Sequence, residues 1–167
     1  MNIFTELATN GGKWKSKYGD AWKAQIAKVQ AQFGDAIEEI RNPWEHPTDV
    51  PIFYVKKNRV IELLTFLKTD ADCQYTFLAD LTATDETTDP RFEVVYNLFD
   101  RDRGPRIRVK TRVREGEEVP TLTGVWKGAD WAEREVFDMF GIKFTGHPNL
   151  MPNISKTSRS AQSAPFQ

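Results

Sequence analysis

Four side chains that could act as acids, bases or metal ligands lie within one short stretch of the sequence: Glu133, Glu135, Asp138 and His147. Carboxylates and imidazoles perform general acid–base catalysis and bind divalent metal ions. On an α-helix, however, Glu133 and Glu135 would point roughly 160° apart, so they cannot share one ion. The His-Glu-x-x-His spacing of a zinc site is also missing. We therefore expect neither a catalytic nor a metal site here. The competing hypothesis is that the chain is a stand-alone enzyme that uses Glu135, Asp138 and His147.

The same stretch is predicted to form an amphipathic helix. Asp130 can cap its first turn, with Glu133 three positions on in the spacing of a capping box, and Gly141 can end it. Glu133 lies beside an apolar stripe that we expect to face the core of the domain. The stripe consists of Ala132, Val136, Met139 and Phe140.

The opposite side of this helix carries charged and aromatic side chains. Arg134 and Asp138 are four residues apart and can form an ion pair, with Trp131 beside them and Phe137 on the flank. One interpretation is a solvated ion pair next to a wide apolar face. The other is a helix with two contact faces, because Trp131 and Phe137 would otherwise leave large aromatic surface in water. We favour the second interpretation, in which the outward side meets a partner.

A turn follows the helix at Gly146, His147 and Pro148. Glycine permits a positive φ, and proline removes a backbone donor. We interpret His147 as a hydrogen-bonding lock for this turn rather than as a proton carrier.

Residues 106–114 form a predicted strand with an unusual charge pattern. Its alternation places Ile107, Val109, Thr111 and Val113 on one face and five cations on the other. Like charges two residues apart repel, so acids such as Glu93 on a neighbouring strand are expected to balance them. Three explanations of the basic face remain open: protection of a sheet edge, an acidic protein partner, and nucleic-acid binding. The slightly negative net charge of −1 counts against nucleic acid.

Bulk composition indicates one folded domain in a chain of 167 residues, with 40% hydrophobic and 28% charged residues. We expect a flexible lead-in at 1–19, a domain at 20–150 and a disordered Ser-rich tail at 151–167. The single Cys73 fits a reducing compartment. No apolar run approaches the ~18 residues of a membrane span, and the N-terminus lacks the pattern of a signal peptide. No phosphate-binding loop or nucleotide fingerprint occurs, so no cofactor is expected on the chain.

The pattern of helices and strands predicts an α+β fold. Helices are expected at about 20–33, where Asp20 caps, and from Asn58 to about 68, and strands at 51–55, 74–82, 91–99 and 105–114, with a loop at 83–89. The strands at 91–99 and 105–114 form a hairpin. Without regular alternation of strands and helices, we expect a two-layer α/β sandwich. Its helices pack on one face of a mixed, mostly antiparallel sheet, and a signature helix lies near the C-terminus.

Residues 131–142, Trp-Ala-Glu-Arg-Glu-Val-Phe-Asp-Met-Phe-Gly-Ile, followed by Phe144 and by Gly-His-Pro-Asn-Leu at 146–150, closely resemble a known family signature. It is the signature of the C-type subunit of NADH-quinone oxidoreductase, the 30 kDa-type subunit of respiratory complex I. Residues 81–85 and 91–98 resemble the middle block of the family, and 119–123 its lead into the signature helix. The resemblance covers roughly residues 20–150. It ends after Leu150, where the longer basic and apolar extension of the family is replaced by the Ser-rich tail.

The resemblance implies a subunit that binds no flavin and no iron–sulfur cluster, because FMN and the clusters belong to other subunits. It implies packing against the quinone-site (D-type) subunit, and support of electron transfer from NADH to quinone coupled to proton translocation. The location would be the cytoplasmic side of the bacterial inner membrane, or the matrix side in an organelle. The alternative is the equivalent subunit of a membrane-bound hydrogenase or ferredoxin-linked complex. The residues carried over as structural and interface positions are Trp131, Glu133, Arg134, Glu135, Phe137, Asp138, Phe140, Gly141, His147 and Pro148.

Overall fold

In the computed structural model, which describes residues 16–150, three helices pack on one face of a five-stranded sheet. The strand order is β1-β2-β5-β4-β3, and every neighbouring pair is antiparallel except β2 and β5. This confirms the predicted α+β sandwich with a mixed, mostly antiparallel sheet. The elements are α1 (Gly19–Phe33), β1 (Ile37–Arg41), β2 (Ile52–Val55), α2 (Val60–Thr69), β3 (Phe77–Asp85), β4 (Phe92–Phe99), β5 (Arg106–Val113), β6 (Glu118–Pro120), α3 (Ala129–Phe140) and β7 (Lys143–Thr145).

Helix α1 forms because its large apolar side chains recur at helical spacing. Trp22, Ile26, Val29 and Phe33 are all buried, as the periodicity predicts. The predicted cap at Asp20 is wrong, since the helix already begins at Gly19 and no side chain caps it. Asp20 lies instead in the first turn, where a negative charge is favourable next to the positive end of the helix dipole.

Helix α2 begins later than predicted. A 3₁₀ turn at Lys57–Arg59 includes Asn58, so the helix proper starts at Val60 and Asn58 is not its cap. The inward face is set by Val60, Leu63, Leu64 and Leu67, whereas Ile61 is half-buried. At 100° per residue, Ile61 lies at the edge of the face that these four residues form.

Strand β3 runs further along the chain than predicted. It starts at Phe77 rather than Gln74 and continues to Asp85, so part of the expected loop at 83–89 is strand. The extension is stabilised by pairing with β4, where Ala83 lies opposite Val94 and Asp85 opposite Phe92. The hairpin of β4 and β5 is confirmed, with Val94 opposite Thr111 and Phe92 opposite Val113.

The chain termini fall outside the described residues. The predicted lead-in at 1–19 lies mostly there, and the predicted tail at 151–167 lies there entirely, so both stay predictions. Of the helices found in residues 16–150, none combines the length and the apolar character that a membrane crossing requires.

A buried polar contact joins α1 to the segment before β3. The hydroxyl of Tyr75 donates to Gln25 Oε1 at 2.7 Å, and Gln25 Nε2 donates to the carbonyl oxygen of Asp72 at 2.9 Å. Both the Tyr75 and Gln25 side chains are buried, and burial raises the pKa of Tyr75 well above its usual range. The Gln25 amide therefore supplies an acceptor to the buried Tyr75 hydroxyl and ties α1 to the backbone at Asp72.

We expect Gln25→Leu to destabilise the domain by about 1–3 kcal/mol, because the Tyr75 hydroxyl would lose its acceptor in a buried site. Gln30→Leu makes the same replacement at an exposed position of α1 and should change stability by less than about 0.5 kcal/mol. Urea unfolding of the two variants compares them directly. Similar midpoints for both would show that the buried contact contributes nothing specific.

Candidate functional site

Helix α3 lies between two short parallel strands. β6 precedes it and β7 follows it, with Val119 opposite Phe144 in the pairing. The helix ends at Gly141, as predicted, where φ is +75° and the backbone N–H donates to the carbonyl oxygen of Phe137. A left-handed residue at this place favours glycine. The reversal returns the chain alongside β6 and brings the turn at His147 back to the helix.

The inner face of α3 is rotated from the predicted stripe. Ala129, Glu133 and Val136 are the buried residues of the helix, and the Phe140 ring packs edge-on against Phe92 with centroids 6.2 Å apart. Met139, which we expected inward, is 69% exposed. The prediction failed because it assigned only apolar residues to the core. The carboxylate of Glu133 takes a core position instead, and Met139 is turned outward.

Glu133 is fully buried and is held by the segment that precedes the helix. Its Oε2 accepts a hydrogen bond from the Thr121 hydroxyl at 2.6 Å, and its Oε1 accepts one from the backbone N–H of Leu122 at 2.5 Å. Glu133 therefore does not reach back to the helix start, and the predicted capping box is wrong. The helix begins at Ala129, and no side chain caps it.

The Thr121 hydroxyl extends this network by one residue. Because its proton points to Glu133, its oxygen is free to accept, and it receives the backbone N–H of Thr123 at 3.2 Å. The two threonine hydroxyls are 2.9 Å apart. The Thr121 hydroxyl thus makes a charge-assisted hydrogen bond to the buried carboxylate of Glu133. It also orders the turn between Thr121 and Thr123.

His147 closes the other side of the same cluster, and its side chain has no exposed surface. Its Nδ1 accepts the backbone N–H of Asn149 at 3.0 Å, so Nε2 carries the proton. Nε2 lies 3.0 Å from the carbonyl oxygen of Asp130, 3.1 Å from the Asp130 carboxylate and 3.9 Å from Glu133 Oε2. The imidazole thus ties the turn after β7 to α3, in agreement with its interpretation as a lock.

The four titratable residues singled out from the sequence divide into two groups. Glu133 and His147 come together in the interior, whereas Glu135 and Asp138 are exposed. The set proposed for a stand-alone enzyme, Glu135, Asp138 and His147, is therefore not assembled. Within residues 16–150, no group of three or more His, Cys, Asp or Glu side chains is arranged to hold a metal ion.

The outward side of α3 carries exposed side chains of mixed character. Trp131 is 73% exposed, and Glu135, Asp138 and Met139 are exposed as well. Arg134 is half-buried, with its guanidinium 5.9 Å from the centre of the Trp131 ring. The predicted Arg134–Asp138 ion pair is not formed among the described residues, because the arginine lies over the indole instead.

The structure tests one of the three explanations of the basic strand at 106–114, the protection of a sheet edge. β5 is the central strand of the sheet, so edge protection is wrong. Its counter-charges come from this chain, with Lys110 Nζ 2.7 Å from Glu93, and Arg112 2.9 Å from Glu39. The Arg112 guanidinium also lies 4.2 Å from the centre of the Tyr54 ring. The expected balancing role of Glu93 is confirmed.

Sequence reasoning missed Thr121 and Leu122 as partners of Glu133. A usable signal exists, since Glu133 follows Ala129 by four residues and precedes Val136 by three. These three positions share one helix face. A helical wheel centred on Ala129 therefore places Glu133 on the inner face. A carboxylate at that position needs hydrogen-bond donors nearby.

Comparison with known families matches residues 53–163 to the family described as "Respiratory-chain NADH dehydrogenase, 30 Kd subunit". The matched region is more than half of the chain and includes all of α3. The chain belongs to this family.

The chain is also similar in sequence to individual proteins of this family. A C-type subunit of NADH-quinone oxidoreductase from Rhizobium etli is 42% identical over 125 residues, which are 74% of this chain and 65% of that protein. The mitochondrial NADH-ubiquinone oxidoreductase 30.4 kDa subunit of Neurospora crassa is 49% identical over 135 residues, 80% of this chain and 44% of that protein. A C/D-type subunit of NADH-quinone oxidoreductase from a Sulfurihydrogenibium species is 54% identical over 99 residues, 58% of this chain and 17% of that protein. The chain thus spans less than two thirds of each relative.

A solved structure supports the fold of this member of the 30 kDa family. The trypsin-resistant fragment (1-134) of Nqo5 superimposes with a TM-score of 0.64 at 29% identity, and the match covers 78% of this chain and 99% of that one. The sandwich of helices on one face of the sheet is therefore shared with a relative whose structure has been solved.

The signature residues of this 30 kDa-type protein occupy both sides of α3. Glu133 and His147 lie inside, Gly141 ends the helix, and Arg134, Phe137 and Phe140 are half-buried. Those that are exposed are Trp131, Glu135, Asp138 and Pro148. The role of the signature residues at an interface stays a prediction. The hydrogen bonds of Glu133 and His147 hold α3 to the segments on either side of it.

Replacing Glu133 by glutamine is expected to destabilise the domain. A glutamine amide has one acceptor oxygen where the carboxylate has two, so Thr121 and Leu122 can no longer each donate to a charged oxygen, at a cost of about 1–3 kcal/mol. Glu135→Gln removes an exposed carboxylate from the same helix and should cost less than about 0.5 kcal/mol. Urea unfolding at neutral pH measures both. Equal losses of stability would argue against a specific buried contact.

The destabilisation by Glu133→Gln should also depend on pH. Burial raises the pKa of Glu133 above its ordinary 4.5, opposed by hydrogen bonds from Thr121 and Leu122 and by nearby His147. The folded protein therefore holds this proton more tightly than the unfolded chain, and the associated stability is lost as the pH rises through the folded pKa. The stability difference between wild type and Glu133→Gln should shrink as the pH is raised from about 4.5 to about 7. A difference that grows would reverse the inferred sign.

Proposed function

We propose that this chain is a non-redox subunit of the peripheral arm of a proton-translocating NADH:quinone oxidoreductase, respiratory complex I. The observation that carries the proposal is the family match over residues 53–163, which spans both the sheet and α3. In this role the chain supports electron transfer from NADH to quinone through FMN and iron–sulfur centres bound by other subunits. Its own contribution is to position neighbouring subunits.

We infer that the quinone-site subunit is its principal neighbour. The relative of C/D type supports this, because the segment similar to our chain is there part of one polypeptide with that double name. Segments that are fused in one organism are good candidates for direct contact in another. Such a neighbour would also account for the exposed side of α3, where an indole and two carboxylates face solvent.

The buried residues of α3 would then hold the helix in place so that its exposed residues can contact the partner. Glu133 and His147 fix the helix between β6 and β7, and Gly141 sets the angle at which the chain leaves it. Trp131, Asp138 and their exposed neighbours would make the contact. The chain would associate with the membrane only through the complex, at the cytoplasmic face of a bacterial membrane or the matrix face of a mitochondrion.

The proposal predicts stable assembly with the quinone-site subunit in the host. A tagged full-length chain is expressed in place of the native one, membranes are solubilised with a mild detergent, and the tag is used for purification. We expect the quinone-site subunit in about equal amount, together with NADH:quinone reductase activity. Gln30→Leu, an exposed change on α1, serves as a matched control that leaves recovery unchanged.

Two results would contradict the proposed function. One is a purified chain without the quinone-site subunit in any detergent that keeps complex I intact. The other is stoichiometric recovery of a hydrogenase large subunit or of a ferredoxin-linked module, which would assign the chain to a related complex.

A further inference from the structure

We propose that the outer face of α3, formed by Trp131, Glu135, Asp138 and Met139, docks onto a basic protein surface that holds an apolar pocket for the indole. The inference rests on the proposed function for the existence of a partner subunit. It goes further by stating the chemistry of the surface that this partner must present.

The four residues form one continuous patch. At about 100° per residue, they fall within an arc of about 100° on the side opposite Ala129, Glu133 and Val136. Trp131 and Met139 are eight residues apart, or roughly 12 Å along the helix axis, with the two acids between them. Since the inner face is buried against the sheet, this patch is the part of α3 that another molecule can reach.

The apolar part of the patch stands out from the rest of the molecule. In residues 16–150, three large apolar side chains are exposed, and two of them, Trp131 at 73% and Met139 at 69%, belong to this patch. The third, Phe77, is 37% exposed and has the Arg101 guanidinium 4.2 Å from its ring centre. Tryptophan is enriched among the residues that contribute most to binding energy at protein interfaces.

The charged part of the patch defines the partner. Glu135 and Asp138 are exposed, and neither forms an ion pair within the described part of the chain. Arg134, the cation nearest in sequence, lies over the indole. On the open sheet face, by contrast, Glu93 and Glu39 are matched by cations of this chain. Burying two unmatched carboxylates is unfavourable unless the partner supplies lysine or arginine.

Other occupants fit this patch less well. An anionic lipid surface or a nucleic acid would meet the two carboxylates with like charge. A second copy of the chain, related by a twofold axis, would bring two pairs of the same carboxylates onto one apolar patch. A basic protein surface satisfies the indole and the acids together.

The test uses the tagged full-length chain in its complex, with the quinone-site subunit as the probe. Trp131→Ala should lower recovery of that subunit by about tenfold or more, as expected for an interface centre. Glu135→Lys/Asp138→Lys should lower it comparably. Raising NaCl from about 0.05 M to about 0.5 M should weaken the wild-type association and have little further effect on the double variant.

Matched controls separate docking from general effects. Phe77→Ala removes the other exposed apolar ring, and Glu86→Lys/Asp102→Lys makes the same charge change at exposed loop positions outside α3. Both should retain wild-type recovery. Thermal unfolding of the purified variants should match that of wild type, because every changed side chain on the patch is exposed.

The outcomes distinguish this inference from the proposed function. If wild type recovers the quinone-site subunit and the Trp131 and double-charge variants do so equally well, the docking surface is wrong and the proposed function stands. If wild type recovers none of it, the proposed function itself fails. If Trp131→Ala instead converts a dimer of the isolated chain to a monomer, the occupant is a second copy and the inference is overturned.

Discussion

The hydrogen bonds of the buried Glu133 carboxylate hold together the part of the molecule that carries its family signature. They join α3 to the loop before it through Thr121 and Leu122, and His147 lies against the same carboxylate from the turn after β7. A carboxylate in the interior is unfavourable unless its oxygens are satisfied. Three separate segments must therefore meet before Glu133 can be buried. This requirement makes the local geometry specific as well as stable.

A second polar system lies on the opposite face of the sheet and works by a different principle. There, Lys110 and Arg112 of the central strand are balanced by acids from β4 and β1 and are stacked over Tyr54. The charges are half-buried and distributed over several partners, so no single ion pair dominates. The aliphatic stems of such side chains cover apolar surface while their charged ends stay near water. Tyr54 is buried beneath them although no helix among residues 16–150 packs on this face.

Much of the fold can be predicted from the periodicity of the sequence. Where that prediction is wrong, the errors have physical causes. The alternation in β4 and β5 and the spacing of Trp22, Ile26 and Val29 predict elements that the structure contains. Strand ends were misplaced where pairing with β4, a contact distant in sequence, extends β3 to Asp85. Helix starts were misplaced where no side chain caps the helix. The rotation of α3 was misjudged because a polar residue at a core position is visible only when its donors are known.

The two short strands around α3 have a consequence for how the molecule recognises others. Because β6 and β7 pair in parallel, the helix between them is closed at both ends into one β–α–β unit. A helix held in this way keeps its orientation before any encounter. Its outer side chains are presented on a frame that does not need to be ordered on association, so less conformational entropy is lost than by a segment that folds on contact. Recognition by this face would resemble the meeting of two preformed surfaces.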